Sequence, residues 1–173
     1  MEAVSEVASQ RAPEERCSER IAVFQLGRGA TGFRGVKDDP LPETDLQAFR
    51  AAWHTAARIA DGRVGEFVRQ AYPRSFHTAT VADRNGTHVV LCHAHLPLVA
   101  FATDRRPGYV DGFRVPPIWS NIFTDAGFTV MSVHLLNSPL SQVDTSDRRP
   151  AEWKQIRYWR ATRLGEVLFN SWD

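Results

Sequence analysis

The longest regular pattern of hydrophobic positions covers Glu43–Tyr72 and has the period of an amphipathic helix. Apolar residues recur three and four positions apart along it, at Leu46, Phe49, Trp53, Ala56, Ala60, Val64, Phe67 and Ala71. Thr44 stands where an N-cap is expected, and Pro73 ends the pattern. Because Asp61 and Gly62 interrupt it, the pattern predicts either one helix or a helical hairpin. The residues expected to be buried are Leu46, Phe49, Trp53, Ile59, Val64 and Phe67.

After Pro73 the pattern changes to the alternation that is typical of β-strands. The pair Asn85-Gly86 predicts a hairpin with a two-residue type I′ turn, which places Val81 opposite Val90. One face of this hairpin is almost entirely apolar and is expected to meet the core; it carries Ala79, Val81, Val90, Cys92, Ala94 and Leu96. The other face is mixed and is expected to see solvent or line a cleft; it carries Phe76, Thr78, Thr80, Val89, Leu91, His93 and His95.

Shorter patterns predict the remaining elements. Pro97 interrupts the second strand of the hairpin, and a further strand is expected over Leu98–Thr103. The stretch Phe128–Leu136 is apolar on both faces, which is typical of a central strand. Pro150 is expected to open a short helix. Three more elements are a helical turn at Ile118–Phe123, a last strand at Ile156–Arg160, and a final helix capped by Thr162 that carries Leu164, Val167 and Leu168.

Together these elements predict an α+β fold. An antiparallel sheet of four to six strands packs against an N-terminal helix or helical hairpin, and a short helix lies near the C-terminus. The chain has 173 residues, of which 43% are hydrophobic and 24% charged, so it is long enough for one domain with a sizeable core. We expect this single domain to span residues 21–173, after a disordered or weakly ordered tail at residues 1–20 that is rich in Glu, Ser, Arg and Ala.

The charge balance argues against nucleic acid as a partner, because the net formal charge is only +1. Of the 21 basic residues, all but Lys37 and Lys154 are arginines. The arginines are scattered, so we attribute them to a bacterial genome rich in G and C rather than to phosphate recognition. The sequence has neither the roughly 18 consecutive apolar residues of a membrane-spanning helix nor the apolar core of a secretory signal. We therefore expect a cytoplasmic protein without a membrane partner.

A glycine-rich motif follows the apolar stretch Ile21–Leu26, which is predicted to be a strand. Gly27, Gly29 and Gly32 have the GxGxxG spacing of a dinucleotide-binding turn. In that setting the motif opens a helix whose N-terminus faces the pyrophosphate. Here a further glycine and two prolines follow within ten residues, so no helix starts at this point. The sequence therefore predicts a flexible loop rather than a nucleotide site.

The stretch Val90–Leu96 holds two histidines, His93 and His95, beside Cys92. Two strand residues at this spacing point the same way, so both imidazoles can reach one metal ion, whereas Cys92 points to the opposite face. A third ligand would be needed, and the candidates are His77, Asp104, Asp111 and His134. Because this spacing alone is a weak signal, we expect no cofactor. The alternative is a divalent metal held by His93, His95 and His134.

The loop at residues 104–117 is the most polar and aromatic loop of the chain. Loops held by a rigid scaffold commonly carry binding groups, which makes Arg105, Tyr109 and Arg114 candidate ligand- or partner-binding residues. Asp111 has apolar neighbours, the surroundings that suit a general acid. Asp111 is therefore a candidate catalytic residue together with the two histidines of the Val90–Leu96 stretch.

The C-terminal region is rich in large aromatic residues, at Trp153, Tyr158, Trp159, Phe169 and Trp172. Arginines are interleaved with them, at Arg157, Arg160 and Arg163. Such rings can close a core, because aromatic side chains bury large areas. They can also form a partner-binding patch or stack on a planar ligand. We prefer core closure, with partner binding next, and Trp159, Arg160 and Trp172 are the candidate contact residues.

These features predict a small binding or accessory protein without catalytic activity, which recognises a partner protein or a small ligand. The prediction depends on the missing nucleophile motifs and on the aromatic, arginine-rich C-terminal region. The alternative, from a different class, is a small metal-dependent or acid–base enzyme. It would use the strand face of His93 and His95 together with Asp104 or Asp111 in the loop.

Overall fold

In the computed structural model, which describes residues 23–103 and 112–172, a five-stranded sheet lies at the centre of the fold. Strands adjacent in the sheet are also adjacent in sequence, and every pair is antiparallel except the last, which is parallel. The strands are β1 (Arg63–Val68), β2 (Phe76–Asp83), β3 (Gly86–His93), β4 (Leu98–Ala102) and β5 (Thr129–Val130). The predicted tail at residues 1–20 lies outside the described residues.

The longest described helix, α1 (Leu46–Ile59), packs on the sheet, and shorter helices follow the strands. They are α2 (Asn121–Asp125), α3 (Val133–Leu136), α4 (Pro150–Trp159) and α5 (Leu164–Leu168), with 3-10 turns at Ile118–Ser120 and Leu140–Gln142. The predicted α+β class, with an N-terminal helix on a mostly antiparallel sheet and a short C-terminal helix, is confirmed. Within the two described ranges, no helix is long and apolar enough to cross a bilayer.

The sheet is covered on both faces by hydrophobic cores. On one face, α1 and α2 pack on the strands, and this core includes Phe49, Trp53, Ala79, Val81, Val90, Cys92, Phe101 and Phe123. The other face packs on the segment before α1 and on the C-terminal helices; its core includes Leu26, Phe76, Val89, Leu91, Met131, Leu136, Leu164 and Leu168. The mixed face of the hairpin was expected to meet solvent or a cleft, and this was wrong. Its apolar residues form a second core because the C-terminal segment covers them.

Helix α1 begins one residue later than Thr44 predicts. Asp45 is the N-cap, and its carboxylate accepts a hydrogen bond from the amide of Ala48 at 2.9 Å. The Thr44 hydroxyl instead lies 2.7 Å from the carbonyl oxygen of His93 and 2.9 Å from that of Leu96. Thr44 therefore fastens the start of the helix to the end of β3 and does not cap it.

The predicted helical pattern ends halfway, because residues 63–68 form β1. Asp61 has a positive φ of 50°, and a Cβ on Gly62 would lie 2.3 Å from the carbonyl oxygen of Ala82. The pair therefore turns the chain sharply from α1 onto the sheet edge. A β-bulge lies between Val64 and Phe67, so these residues face the same side although they are three apart. Because of the bulge, the apolar residues of this strand have the three-residue spacing of a helix. The prediction of a second helix in a helical hairpin was therefore wrong.

The hairpin of β2 and β3 forms around Arg84-Asn85, with Asp83 opposite Gly86. Val81 consequently pairs with His88 and not with Val90. The Asp83 carboxylate fixes this turn by accepting a hydrogen bond from the Asn85 amide at 2.7 Å. The register differs from the predicted one by two residues, so the side chains of β2 and β3 keep their predicted faces. Leu96, which lies beyond β3 and was predicted on the face of Val81, packs against the other core. Gly86 has a positive φ of 120°, as expected.

Four shorter predictions also change. Residues 128–136 form only the two-residue β5 followed by α3, whose start is capped by Ser132 through the amide of Leu135. Residues 156–160 are helical and belong to α4, although Pro150 does open that helix as predicted. The N-cap of α5 is Arg163 and not Thr162. The Glu166 carboxylate accepts hydrogen bonds from the amides of both residues. In the Ile21–Leu26 stretch the described residues contribute only an isolated bridge from Gln25 to Asp144.

Replacing Trp53 by alanine should destabilise the protein by about 3–5 kcal/mol. The Trp53 side chain is 3% exposed, and its indole Nε1 donates to the carbonyl oxygen of Thr80 at 2.9 Å. Ile59, on the same helix, was expected to be buried but is 58% exposed, so Ile59→Ala is the matched control and should cost little. The free energy of unfolding in urea measures both. A loss below about 1 kcal/mol for Trp53→Ala would place the core elsewhere.

Gly86→Val should destabilise the protein by about 1–3 kcal/mol, because valine is strained at a positive φ. Thr87 is also exposed at the start of β3, and Thr87→Val keeps ordinary strand geometry, so it should leave stability nearly unchanged. Thermal unfolding of the two variants side by side tests the turn. Equal stability of both variants would contradict the strained geometry at Gly86.

Candidate functional site

His93 lies at the end of β3, and its ring is completely buried. Its Nδ1 accepts hydrogen bonds from the amides of His95 and Leu96, both at 3.1 Å. Its Nε2 lies 2.9 Å from the carbonyl oxygen of Ala30. A carbonyl oxygen only accepts, so the ring proton is on Nε2 and both ring nitrogens have backbone partners. His93 therefore links the glycine-rich loop to the end of β3.

The hydrogen bonds of His93 require the neutral ring. Burial lowers its pKa to about 3, and the hydrogen bond to Ala30 acts in the opposite direction. The rings of His95 and His77, in their protonated forms, lower the pKa further by charge repulsion. A proton added at Nδ1 would face the two backbone amides that donate to it. Because its lone pair is already used, His93 is poorly suited to bind a metal ion or to accept a proton from a substrate.

His95 lies beyond the end of β3, in the bend before β4, and is partly exposed. The two histidines therefore do not share a strand face, although their ring centroids are only 6.0 Å apart, with the planes at 70°. His95 Nδ1 lies 2.8 Å from the carbonyl oxygen of Pro42, which places its proton on Nδ1 and its lone pair on Nε2. Cys92 faces the opposite core, as predicted, and burial raises the pKa of its thiol to about 12.

A cleft of about 60 Å³ lies beside His95. His77 also lines it, and His77 Nδ1 accepts from the amide of Gln70 at 2.9 Å. Burial lowers the pKa of His77 to about 4, and the charges of Arg69 and His95 add to this. The volume suits a few water molecules and excludes a substrate of ordinary size.

The predicted metal ligands that lie among the described residues do not come together as a set of three. His77 shares the cleft with His95, whereas His134 is exposed on α3. Among residues 23–103 and 112–172, no three His, Cys, Asp or Glu side chains are grouped closely enough to hold a metal ion. Four other predicted site residues, Arg105, Tyr109 and the acids Asp104 and Asp111, lie outside the described residues. Arg114 is exposed, and its amide donates to the carbonyl oxygen of Phe101 at 2.8 Å.

The glycine-rich loop, residues 27–32, binds a carboxylate of the protein itself. Oε1 of Glu152 accepts from the amides of Gly29 and Thr31, at 3.1 and 3.3 Å, and from the Thr31 hydroxyl at 3.1 Å. Glu152 is 1% exposed, and Gly29 has a positive φ of 89° that lets the turn present its amides. The prediction of a flexible loop was wrong, because an acid more than a hundred residues away in sequence holds the loop in the core.

Five aromatic rings form a connected row at the surface beside α4. Successive ring centroids are 5.8, 6.3, 6.3 and 5.2 Å apart. In order, the rings are Tyr72, Phe33, Trp172, Trp159 and Tyr158, and we call them the aromatic surface. Trp159 and Trp172, predicted as contact residues, are nearly parallel at 13°. The third predicted residue, Arg160, is exposed at the end of α4 with a positive φ of 54°.

A second feature of α4 is a cavity of about 390 Å³ on its basic side. Its lining residues are Arg148, Pro150, Trp153, Lys154 and Arg157. The guanidinium carbons of Arg148 and Arg157 lie 5.0 and 5.8 Å from the centroid of the Trp153 ring. The sequence signal for this cluster was the helical spacing of residues 150, 153, 154 and 157. It was missed because the second half of α4 was interpreted as a strand.

Acidification should destabilise the protein through His93. The unfolded ring has the ordinary pKa of 6.5 and the folded ring a pKa of about 3, so below pH 6.5 the unfolded chain binds the extra proton. Stability falls as the pH drops from 6.5 towards 3, with a loss of about 2 kcal/mol between pH 7 and pH 5 from this residue. His77 adds a loss in the same direction.

Urea unfolding at several pH values measures this loss. His93→Gln should show a shallower dependence on pH than the wild-type protein, and the exposed His134→Gln should keep the wild-type dependence. NMR titration of the wild-type ring gives an independent check that does not depend on the stability of a variant. A His93 ring that becomes protonated above pH 6 would contradict the assignment.

The comparisons with known proteins add no family to this description. Neither protein-family models nor curated proteins match the sequence, and no solved structure matches the fold.

Proposed function

We propose that this protein is a non-catalytic binding or accessory protein that recognises an acidic partner protein through the aromatic surface. The observation that carries the proposal is the exposure of large rings that are nevertheless held in place. Tyr72 is 79% exposed, Tyr158 74% and Trp159 37%. Exposed tyrosine and tryptophan are the residues most enriched among binding hot spots.

Contacts between neighbouring rings support a binding role over core closure. Core closure describes Phe169, which is 3% exposed, and Trp153, which packs against the core. In the aromatic surface neighbouring rings contact each other, and Tyr72, Tyr158 and Trp159 are exposed, whereas Trp172 also packs against the core. Rings that are already ordered lose little conformational freedom when a partner binds, which favours affinity.

The charge around α4 indicates the chemistry of the partner. Between Arg148 and Arg163 the chain has six basic residues and a single acid, Glu152, although the net charge of the whole chain is only +1. Glu152 is buried in the glycine-rich loop and contributes no acidic surface. A partner that places carboxylates around apolar groups would complement both the charge and the rings.

The alternative of a small metal-dependent or acid–base enzyme has less support. Both ring nitrogens of His93 are engaged by the backbone, and the cleft beside His95 has a volume of only about 60 Å³. A cytoplasmic location accompanies the proposal of a binding protein. Cys92, a buried free thiol, is compatible with a reducing compartment.

Binding to a fluorescent random copolymer of glutamate and tyrosine, followed by anisotropy with the full chain, tests this proposal. The wild-type protein should bind it, and a copolymer of lysine and tyrosine should bind about tenfold more weakly. The variant Tyr158→Ser/Trp159→Ser should lose about tenfold in affinity, because it removes two exposed rings.

The matched control is Val115→Ser/Ile118→Ser, which removes two apolar residues that are 79% and 96% exposed away from the aromatic surface. It should bind like the wild-type protein. Absent binding, equal losses in the two double variants, or equal affinity for the acidic and basic copolymers would each show that the proposal is wrong.

A further inference from the structure

Arg148 is a buried cation without a hydrogen-bonding partner. Its residue is 8% exposed, and none of its three guanidinium nitrogens has a partner within the described part of the chain. Burial lowers the pKa of Arg148, and the charge of Glu152 acts in the opposite direction. An arginine nevertheless keeps its charge in proteins, so the fold carries a buried charge whose donors are unused.

Glu152 does not neutralise Arg148 by direct pairing. Its Oε1 accepts three hydrogen bonds from the glycine-rich loop, and its Oε2 is buried without a hydrogen-bonding partner in the described part of the chain. The ion pairs of Arg84 with Asp61 and of His88 with Asp83 do not involve Arg148. Although Glu152 is near enough to act on the pKa of Arg148, no described carboxylate makes the hydrogen-bonded pair that normally accompanies a buried arginine.

The residues around Arg148 have the character of an anion site. Lys154 and Arg157 line the same cavity of about 390 Å³, which is within the size range of small-ligand sites. Arg148 and Arg157 both lie over the Trp153 ring, which holds the guanidinium groups in place. A guanidinium that stacks on a ring keeps its in-plane N–H donors for an oxyanion.

We propose that this cavity binds a small oxyanion of the phosphate class, either free phosphate or the phosphate group of a small molecule. Three cationic side chains line the cavity, and none of its lining residues within 23–103 and 112–172 is an acid. A phosphate group has the multiple acceptors and the charge to match them. The cavity differs from the aromatic surface, so this inference does not depend on the proposed partner.

Calorimetric titration of the full chain with inorganic phosphate and with pyrophosphate tests the site. The wild-type protein should bind at millimolar concentration or tighter, and the bound anion should raise the melting temperature. Arg148→Met should weaken binding about tenfold, because it removes the buried donors and keeps the length of the side chain. Arg149→Met is the matched control, since Arg149 is exposed, adjacent and absent from the cavity lining, and its binding should change less than about twofold.

Lys154→Met provides the test if Arg148→Met does not fold. Because Lys154 is exposed, this substitution should leave the structure intact and weaken anion binding severalfold. In phosphate-free buffer, Arg148→Met should melt no lower than the wild-type protein, since it removes an unpaired buried charge. A lower melting temperature there would assign Arg148 to a hydrated pair with Glu152 and overturn the proposal. It would also be overturned by absent binding, or by equal weakening in Arg148→Met and Arg149→Met, which would indicate diffuse charge attraction only.

Discussion

The structure depends on hydrogen bonds to the backbone amides and carbonyls of a loop that lies in its core. The glycine-rich loop and Leu26 before it cover one face of the sheet, with Leu26 and Ala30 both fully buried. The backbone groups of the buried residues Gly29, Ala30 and Thr31 are removed from water with them. Buried backbone groups need partners, or each costs about 1–3 kcal/mol. Glu152 accepts from the amides on one side, and His93 donates to the carbonyl oxygen of Ala30 on the other. Two polar side chains thus allow an irregular segment to form part of a hydrophobic core.

The contact of Glu152 with the loop also determines how α4 is oriented. Glu152 and Ile156 are four residues apart and both buried, so they define the inward face of the helix. Glu152 can reach the loop amides only if that face is turned towards the sheet. Lys154, Arg157 and Tyr158 are then directed outward. The hydrogen bonds of Glu152 in the core thereby leave the basic and aromatic side chains of α4 on the surface.

The sequence predicted the fold class well because alternation and helix period are local signals. The class, the core around Trp53, the turn near Gly86 and the opposite faces of Cys92 and His93 all follow from such patterns. The errors arose where local signals mislead. The bulge between Val64 and Phe67 gives apolar strand residues the spacing of a helix. The hydrogen bond from the Asn85 amide to the Asp83 carboxylate favours a turn that differs from the predicted one. Tertiary contacts decide the role of His93, and no spacing in the sequence encodes its contact with Ala30, 63 positions away.

The same reasoning explains why the candidate sites lie around α4 and not at the motifs that stood out in the sequence. The glycine-rich loop has anion-binding geometry, but its amides already bind Glu152. The paired histidines have metal-binding spacing, but the backbone already uses both nitrogens of the buried one. The hydrogen-bonding groups of these conspicuous motifs are therefore already satisfied by other groups of the protein. The charge of Arg148 and the exposed rings of the aromatic surface are not satisfied in this way, and unused interaction capacity of this kind is what a ligand or a partner can satisfy.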